Sequence, residues 1–374
     1  MIYLDNAATT APDPAVLETF TKVCETFWAN PHSLHHLGER AEQLLEQARA
    51  QVTELLGGVN YRTVFTSGAT ESNNMALKGV AALSGRRGRH IITTNSEHPS
   101  VEHVMVWLES QGYAVTRLPV GPDGAVTVAQ VRAALTDATI LVSTMFVNNE
   151  SGAINPITGI ARLLEPHPAR YHVDGVQGIG KLPFSLADTP VDFLALSAHK
   201  FGGLKGSGVL VLRERQALMP LLHGGGQEFD LRSGTADVPR AAAFAKALRL
   251  ATEALPEKLA QVRELNCVLR EGLADIPGLV CNSPASASPY ILNCSVSGIQ
   301  PETVLHSLAA EQIYISTVSA CASKRAEFSR VILALTGDAD RARGTIRVSL
   351  SHHTTGAEIQ RFLDVLTATV RKLR

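Results

Sequence analysis

The chain opens on a short apolar run, Ile2-Tyr3-Leu4, and a polar turn from Asp5-Asn6 to Thr10. Helical periodicity then covers 14–28 and 33–56, divided by Asn30-Pro31-His32 and closed by Gly57-Gly58. From there the pattern alternates. Short apolar runs at 63–66, 90–94, 114–119, 140–147, 171–174, 192–197 and 208–213 predict strands, and helical stretches at 71–83, 99–111, 127–135 and 157–164 lie between them. Near-continuous apolar strands interleaved with helices predict an α/β fold, its parallel or mixed sheet covered on both faces. Ligands of such sheets sit beyond the carboxyl ends of the strands.

A helical stretch from 237 to 274, interrupted near Pro256, leads to a second unit. Strands are expected there at 278–281, 290–296, 313–317 and 345–350, with helices at 301–312, 326–336 and 356–373. The Ser/Pro-rich stretch 283–289 reads as a loop.

Composition narrows the partner. A chain of 374 residues exceeds one ordinary core, so two domains, or one large domain with a satellite, are expected. Lys+Arg 34 against Asp+Glu 35 leaves a net charge of -1, which gives no electrostatic case for nucleic acid or an anionic membrane. A small molecule is the expected partner. Cys24, Cys267, Cys281, Cys294 and Cys321 are scattered, with no CxxC pair and no metal-like spacing. That pattern predicts reduced thiols in the cytoplasm, with neither a disulfide framework nor a metal site. With no leader-like segment and no long uncharged apolar stretch, a soluble protein is expected.

Candidate chemistry gathers at predicted strand ends. The run Phe193-Leu194-Ala195-Leu196-Ser197-Ala198-His199-Lys200 carries a strand to one lysine followed by Gly202-Gly203. A partly desolvated lysine there is suited to a Schiff base, and hence to pyridoxal phosphate (PLP); a surface lysine ending a strand has the same sequence. Asp174, ending the strand before it, fits a protonated pyridine nitrogen or a structural salt bridge. Thr66-Ser67-Gly68-Ala69-Thr70-Glu71-Ser72 fits a phosphate site at a helix start or an ordinary cap. His98, before Pro99 at a strand-to-helix junction, can stack on an aromatic cofactor or move a proton.

Four further segments complete the set. Asn148-Asn149 ends a strand and suits a cofactor or substrate oxygen, or simply a turn. His223-Gly224-Gly225-Gly226-Gln227 with Arg232-Ser233-Gly234-Thr235 can close over a phosphate, including a neighbouring subunit's, or remain a surface loop. Cys321 lies in a small polar segment beside Lys324 and is the candidate thiol nucleophile. Arg347, inside a strand, can clamp a carboxylate in bidentate fashion or hold a structural ion pair.

Together these segments resemble the cysteine desulfurases, in the class-V aminotransferase branch of PLP enzymes. TSGATES (66–72), EHPSV (97–101), VNNESG (147–152), HVDGVQ (172–177), SAHK (197–200), HGGGQE (223–228), RSGT (232–235) and SAC (319–321) fall in the family's order over nearly the whole chain. The resemblance implies an aspartate-aminotransferase-like PLP-dependent transferase fold. Its large domain, 15–252, would carry a mostly parallel seven-stranded sheet, and a smaller α+β domain, 1–14 with 253–374, would carry the cysteine loop.

The resemblance also implies roles. Lys200 would form the internal aldimine with pyridoxal 5'-phosphate, Asp174 would pair with its pyridine nitrogen, and His98 would stack on its ring. Gln177 and Asn149 would bond near the phenolate oxygen. Ala69, Thr70, Ser197 and His199 would hold the phosphate, with Thr235 contributed by a second subunit of a homodimer. Arg347, helped by Asn149 and Asn30, would clamp the carboxylate of L-cysteine. Cys321 would take the sulfur as a persulfide, releasing L-alanine, and pass it to a protein acceptor for iron–sulfur cluster assembly or tRNA thiolation.

The chain departs from the family pattern at Asn6, Gly175 and Val318, and through Lys324-Arg325-Ala326-Glu327-Phe328. The enzyme alternatives are a selenocysteine lyase, a cysteine sulfinate desulfinase and an aminotransferase. A non-catalytic sulfur-carrying partner that has kept the fold is the alternative of another class.

Overall fold

The alternation of apolar strands and helices becomes a layered α/β body in the computed structural model, which describes residues 1–84, 87–317 and 328–374. The chain enters through β1 (Ile2–Tyr3), α1 (Pro14–Thr26) and α2 (His36–Leu55). It continues through β2 (Tyr61–Thr66), α3 (Ala69–Ser84), β3 (His90–Thr94), α4 (Pro99–Ser110), β4 (Ala114–Leu118) and α5 (Val128–Ala134). Then come β5 (Thr139–Met145), α6 (Ile157–Leu164), β6 (Arg170–Asp174), β7 (Phe193–Ser197) and β8 (Gly208–Arg213).

Strands β2 to β8 form a seven-stranded sheet in the order β2-β8-β7-β6-β5-β3-β4. The pairs along β4, β3, β5, β6 and β7 are parallel, while β8 is antiparallel to both its neighbours. Strands β5 and β7 are buried along their whole length, as strands covered on both faces must be. The register sets Met145 beside Asp174 and Asp174 beside Ala195, so the carboxyl ends of β5, β6 and β7 lie side by side.

The rest comprises α7 (Val238–Thr252), α8 (Leu255–Ala274), β9 (Leu279–Cys281), β10 (Ile291–Val296), α9 (Pro301–Ala310), β11 (Ile313–Tyr314) and β12 (Ser316–Thr317). It ends with α10 (Arg330–Thr336), α11 (Ala339–Arg343), β13 (Thr345–Ser349) and α12 (Gly356–Leu373). An antiparallel sheet runs β12-β13-β10-β9, and β1 pairs in parallel with β11. Helix α12 shows why the terminal segment is helical: a Thr355–Glu358 capping box starts it, and Ile359, Phe362, Leu363, Leu366 and Val370 bury one stripe.

Three details differ from the sequence pattern. The run 313–317 is not one strand: Ile315 separates β11, which joins β1, from β12, which joins β13. Helices α7 and α8 part at Ala254, in the left-handed region at φ 52°, while Pro256 sits in the first turn of α8, where its missing N–H costs nothing. Helix α11 was not expected; Asp338 caps it by accepting the N–H groups of Asp340 and Arg341. Among the described residues no helix is long and apolar enough to cross a membrane.

Candidate active site

A cavity of about 460 Å³ opens where β5, β6 and β7 end, and Asp174, His98, Asn149, Gln177, Lys200 and Arg347 are among its lining residues. Lys200 closes the single 3-10 turn that follows β7. Its Nζ donates to the carbonyl oxygens of Ala7 and Ala8, at 2.7 and 2.8 Å, so the N-terminal segment walls one side of the site. Segment 175–182 can press onto the end of β5 because Gly178 has no side chain; a Cβ there would lie 2.1 Å from the Phe146 ring. That close approach carries Gln177 to the cavity wall.

Asp174 is buried, and both its donors are neutral. Asn73 Nδ2 gives a hydrogen bond to Oδ2 at 2.9 Å, and the Val176 N–H gives one to Oδ1 at 3.1 Å. Asn73 also donates to Ser100 Oγ, while its Oδ1 faces His172 Nε2 at 3.0 Å. Both amide hydrogens of Asn73 are thereby committed, so His172 must donate from Nε2 and accept from Ser143 at Nδ1. The imidazole is accordingly neutral: burial pushes its pKa down to about 4, against the opposing pull of Asp174.

His98 caps α4 with Pro99 following, as the sequence pattern placed it. Its Nδ1 accepts the Ser100 N–H at 3.1 Å, which leaves the proton on Nε2. Burial lowers its pKa; Asp174 pulls the other way, and Lys200 and His103 add to the lowering. Beside it Glu97 is wholly buried. Its Oε1 accepts from Thr94 and from the Met145 N–H, and its Oε2 has no partner. Burial lifts this carboxyl to about 8.

One end of the cavity is built on the start of α3. Gly68, at φ 153°, turns the chain from β2 into the helix, whose first-turn N–H groups have no intrahelical acceptors. Ala69, Thr70, Ser197, His199 and Lys205 line this end. Burial, Lys200 and Lys205 hold His199 near 4, neutral, with Nδ1 3.1 Å from Thr9 Oγ1. Glu71 accepts from the Ser67 N–H at 2.7 Å and from Arg232 Nε at 2.8 Å, tying the 223–235 loop to this turn.

Arg347 reaches the cavity from the middle of β13. Nη1 donates to Asn149 O and Nη2 to Asp5 Oδ1, each at 2.9 Å, and Nε is buried without a partner. The two asparagines divide their labour. Asn148 is spent on its own turn, accepting from Glu150 N and Ser151 N and donating to Ser96 O, whereas Asn149 faces the cavity.

These residues suit a PLP group. A buried carboxylate with neutral donors offers its charge to a cationic ring nitrogen, an amine stands nearby, and a helix start with a serine and a neutral histidine offers an anion cradle. Ala69, Thr70, His98, Asn149, Asp174, Gln177, Ser197, His199, Lys200 and Arg347 are brought together. Asn30 and Thr235 are exposed and lie outside this lining in a single chain. Cys321 and Lys324 lie outside the described residues.

Sequence reasoning missed Asn73, Ser100, His172, Lys181, Glu97 and Lys205. His172 carried a signal, since two residues before Asp174 on one strand means the same face. Lys181 carried another, as an isolated charge in the glycine-rich apolar run 175–182.

Residues 2–362 match the aminotransferase class-V family. A NifS/IcsS protein homolog of Lactobacillus delbrueckii subsp. bulgaricus is 44% identical, over 97% of this chain and 95% of the relative. The cysteine desulfurase IscS of Methanosarcina thermophila is 38% identical, over 100% of this chain and 93% of its own. Among solved structures, a NifS-like protein superposes with a TM-score of 0.93 at 37% identity, covering 100% of both chains. SspA in complex with cysteine superposes at 0.83 with 32% identity, covering 95% of this chain and 100% of that one. The chain belongs to the class-V aminotransferase family, among the NifS/IscS cysteine desulfurase homologues.

Proposed function

We propose that the protein is a PLP-dependent cysteine desulfurase, converting L-cysteine to L-alanine and holding the sulfur on Cys321 as a persulfide. The observation that carries this reading is the convergence of Asp174, Lys200 and Arg347 on one cavity, from β6, the turn after β7, and β13. The kinship with the IscS enzymes and with the cysteine-bound SspA supports the substrate.

The bound cofactor supplies an electron sink for the pair left at Cα. Asp174 would neutralise the ring-nitrogen end, the start of α3 with Ser197 and His199 would hold the phosphate, and Arg347 with Asn149 would orient the substrate carboxylate. Lys200, once its nitrogen is free, takes the Cα proton. His98 would lie against the ring, with its proton on Nε2 because Nδ1 accepts from the Ser100 N–H. The Cys321 thiolate then attacks the substrate sulfur; the carbon–sulfur bond breaks with its pair left on carbon, and a proton delivered there completes the methyl group of alanine.

Residues 15–252 form the cofactor-holding unit in this reading, and 1–14 with 253–374 the smaller one; the β1–β11 pairing supports joining the N-terminus to the latter. The working form is a homodimer in which Thr235 reaches the partner's phosphate site. Its exposure supports this, as do exposed Met219, Leu221, Leu222 and Phe229 on the same stretch. The persulfide passes to a protein acceptor for iron–sulfur cluster assembly or tRNA thiolation in the cytoplasm, where exposed thiols such as Cys24 and Cys267 stay reduced.

The test compares alanine formation from L-cysteine by the wild type and Cys321→Ala. The proposal expects alanine from the wild type alone, with both proteins keeping their visible cofactor absorption. Equal turnover would remove Cys321 from the chemistry and favour the selenocysteine or cysteine sulfinate reaction, whose leaving groups need no thiol.

A further inference from the structure

Lys181 is buried behind the site. Its Nζ donates to Gln177 Oε1 at 2.9 Å, and the same amide's Nε2 donates to the Ala7 carbonyl at 2.8 Å. It is not among the residues lining the 460 Å³ cavity that Gln177 lines; it lines a second one of about 820 Å³, and Lys200 borders both. The Tyr290 ring is 6.0 Å from Nζ, and Lys200 and Arg347 are the cations that bear on it; Tyr3 and His352 share the larger cavity. A buried ammonium is costly unless it is hydrogen-bonded, which makes the Gln177 contact matter, and burial with those two cations lowers its pKa to about 7.

The contacts fix which way the Gln177 amide points. The Ala7 carbonyl can only accept, but Lys200 Nζ already donates to it at 2.7 Å, so it does not hold the amide alone; with Nε2 facing it, Oε1 is left to meet a donor of its own. Lys181 is that donor. With Oε1 taken by Lys181 and one N–H by Ala7, the second N–H of Nε2 is the amide group left for the cavity that Gln177 lines. Turned over, it would present a carbonyl oxygen instead.

We propose that Lys181 is a positioning residue: it locks the Gln177 amide so that an N–H, never the carbonyl, meets the phenolate oxygen of bound PLP and stabilises the negative charge there. This rests on the cofactor reading above. A donor to that oxygen favours loss of the proton that the lysine-bound cofactor releases as pH rises, and so lowers the midpoint of its visible titration.

The experiment is a pH titration of the visible absorption of the purified holoenzyme, for the wild type, Lys181→Met, Lys181→Gln, Gln177→Leu and the Lys181→Met/Gln177→Leu double variant. Loss of one hydrogen bond to a charged oxygen raises the midpoint by about one pH unit in Lys181→Met and in Gln177→Leu. The double variant shifts no further than Gln177→Leu, because the lysine acts through the amide. Lys181→Gln keeps an N–H donor without the charge and stays near the wild type; this arm and Gln177→Leu decide the matter if Lys181→Met does not fold.

An unchanged midpoint in Lys181→Met overturns the proposal. So do shifts that add in full in the double variant, or a Lys181→Gln that moves as far as Gln177→Leu, since either means the lysine acts through its charge. A wild type that binds PLP without any visible absorption overturns the cofactor reading itself.

Discussion

Replacing Arg347 with lysine separates its two jobs. The guanidinium spends one N–H of Nη1 on Asn149 O and one of Nη2 on Asp5, and keeps the remaining Nη N–H groups for the cavity it lines. An ammonium keeps the charge, so Asp5 is not abandoned, but it cannot span Asn149, Asp5 and a substrate carboxylate at once. The folding cost is one neutral hydrogen bond, about 1 kcal/mol. The binding cost is one of two charge-assisted bonds to the carboxylate, about 1.5–3 kcal/mol, or roughly 10- to 150-fold in kcat/KM. Because the carboxylate does not react, the loss falls on KM, and kcat stays within about threefold. The assay is alanine release over a range of L-cysteine concentrations, with the cofactor absorption and thermal midpoint recorded on the same preparations. An unchanged KM with a lowered midpoint refutes the reasoning: Arg347 would then be a tie between β13 and the N-terminal segment and nothing more.

Two further outcomes concern stability. Glu97 titrates near 8 in the fold against an ordinary value of 4.5, so across that interval the folded state keeps a proton that the unfolded chain has lost. The stability this proton confers is complete below the lower value and drains away as pH rises through the upper one. Glu97→Gln removes the slope: in thermal midpoints measured from pH 5 to 9 the variant's advantage over the wild type should grow up to about pH 8 and level off above it, the underlying difference being at most a few kcal/mol. Parallel curves would contradict the buried, unpartnered Oε2. Glu228→Gln weakens the buried fork with Arg49, at 2.6 and 3.0 Å, that anchors a turn in which Glu228, Phe229 and Asp230 all have positive φ. Denaturant unfolding should lose about 3 kcal/mol, the low end for a broken buried pair because Arg49 keeps Glu46; a loss under about 1 kcal/mol would mean the strained turn holds itself.

The sheet was legible because its strands are short, apolar and separated by helices with clear starts; all seven lie within a few residues of where the pattern places them. The pattern failed where two physical constraints share one short run. Residues 313–317 satisfy a strand's composition throughout, yet they serve two sheets, and which partner each residue finds depends on β1, at the start of the chain, and β13, which begins only at Thr345. The short α11 left only a capping Asp338 as its mark, too small a signal beside the apolar strand that follows.

The site divides along the same line. Lys200, Asp174 and His98 could be picked out because each interrupts a local pattern: a charge at the tip of an apolar strand, or a histidine before a helix-starting proline. Asn73 could not, since inside the second turn of α3 it resembles any helical asparagine. Its role exists only through three elements meeting, with His172 from β6 fixing its oxygen and Asp174 and Ser100 taking its two hydrogens. Replacing it with alanine would strand Asp174 Oδ2 and His172 Nε2 together in a buried space, so its importance is set by what it leaves unsatisfied. The same holds for Lys181, whose partner Gln177 is only four residues away but whose meaning depends on a carbonyl at Ala7. Sequence displays the groups that touch the reacting molecule, because their chemistry breaks the local pattern. The groups that hold those in place satisfy hydrogen bonds instead, and hydrogen bonds between distant segments have no spacing to read.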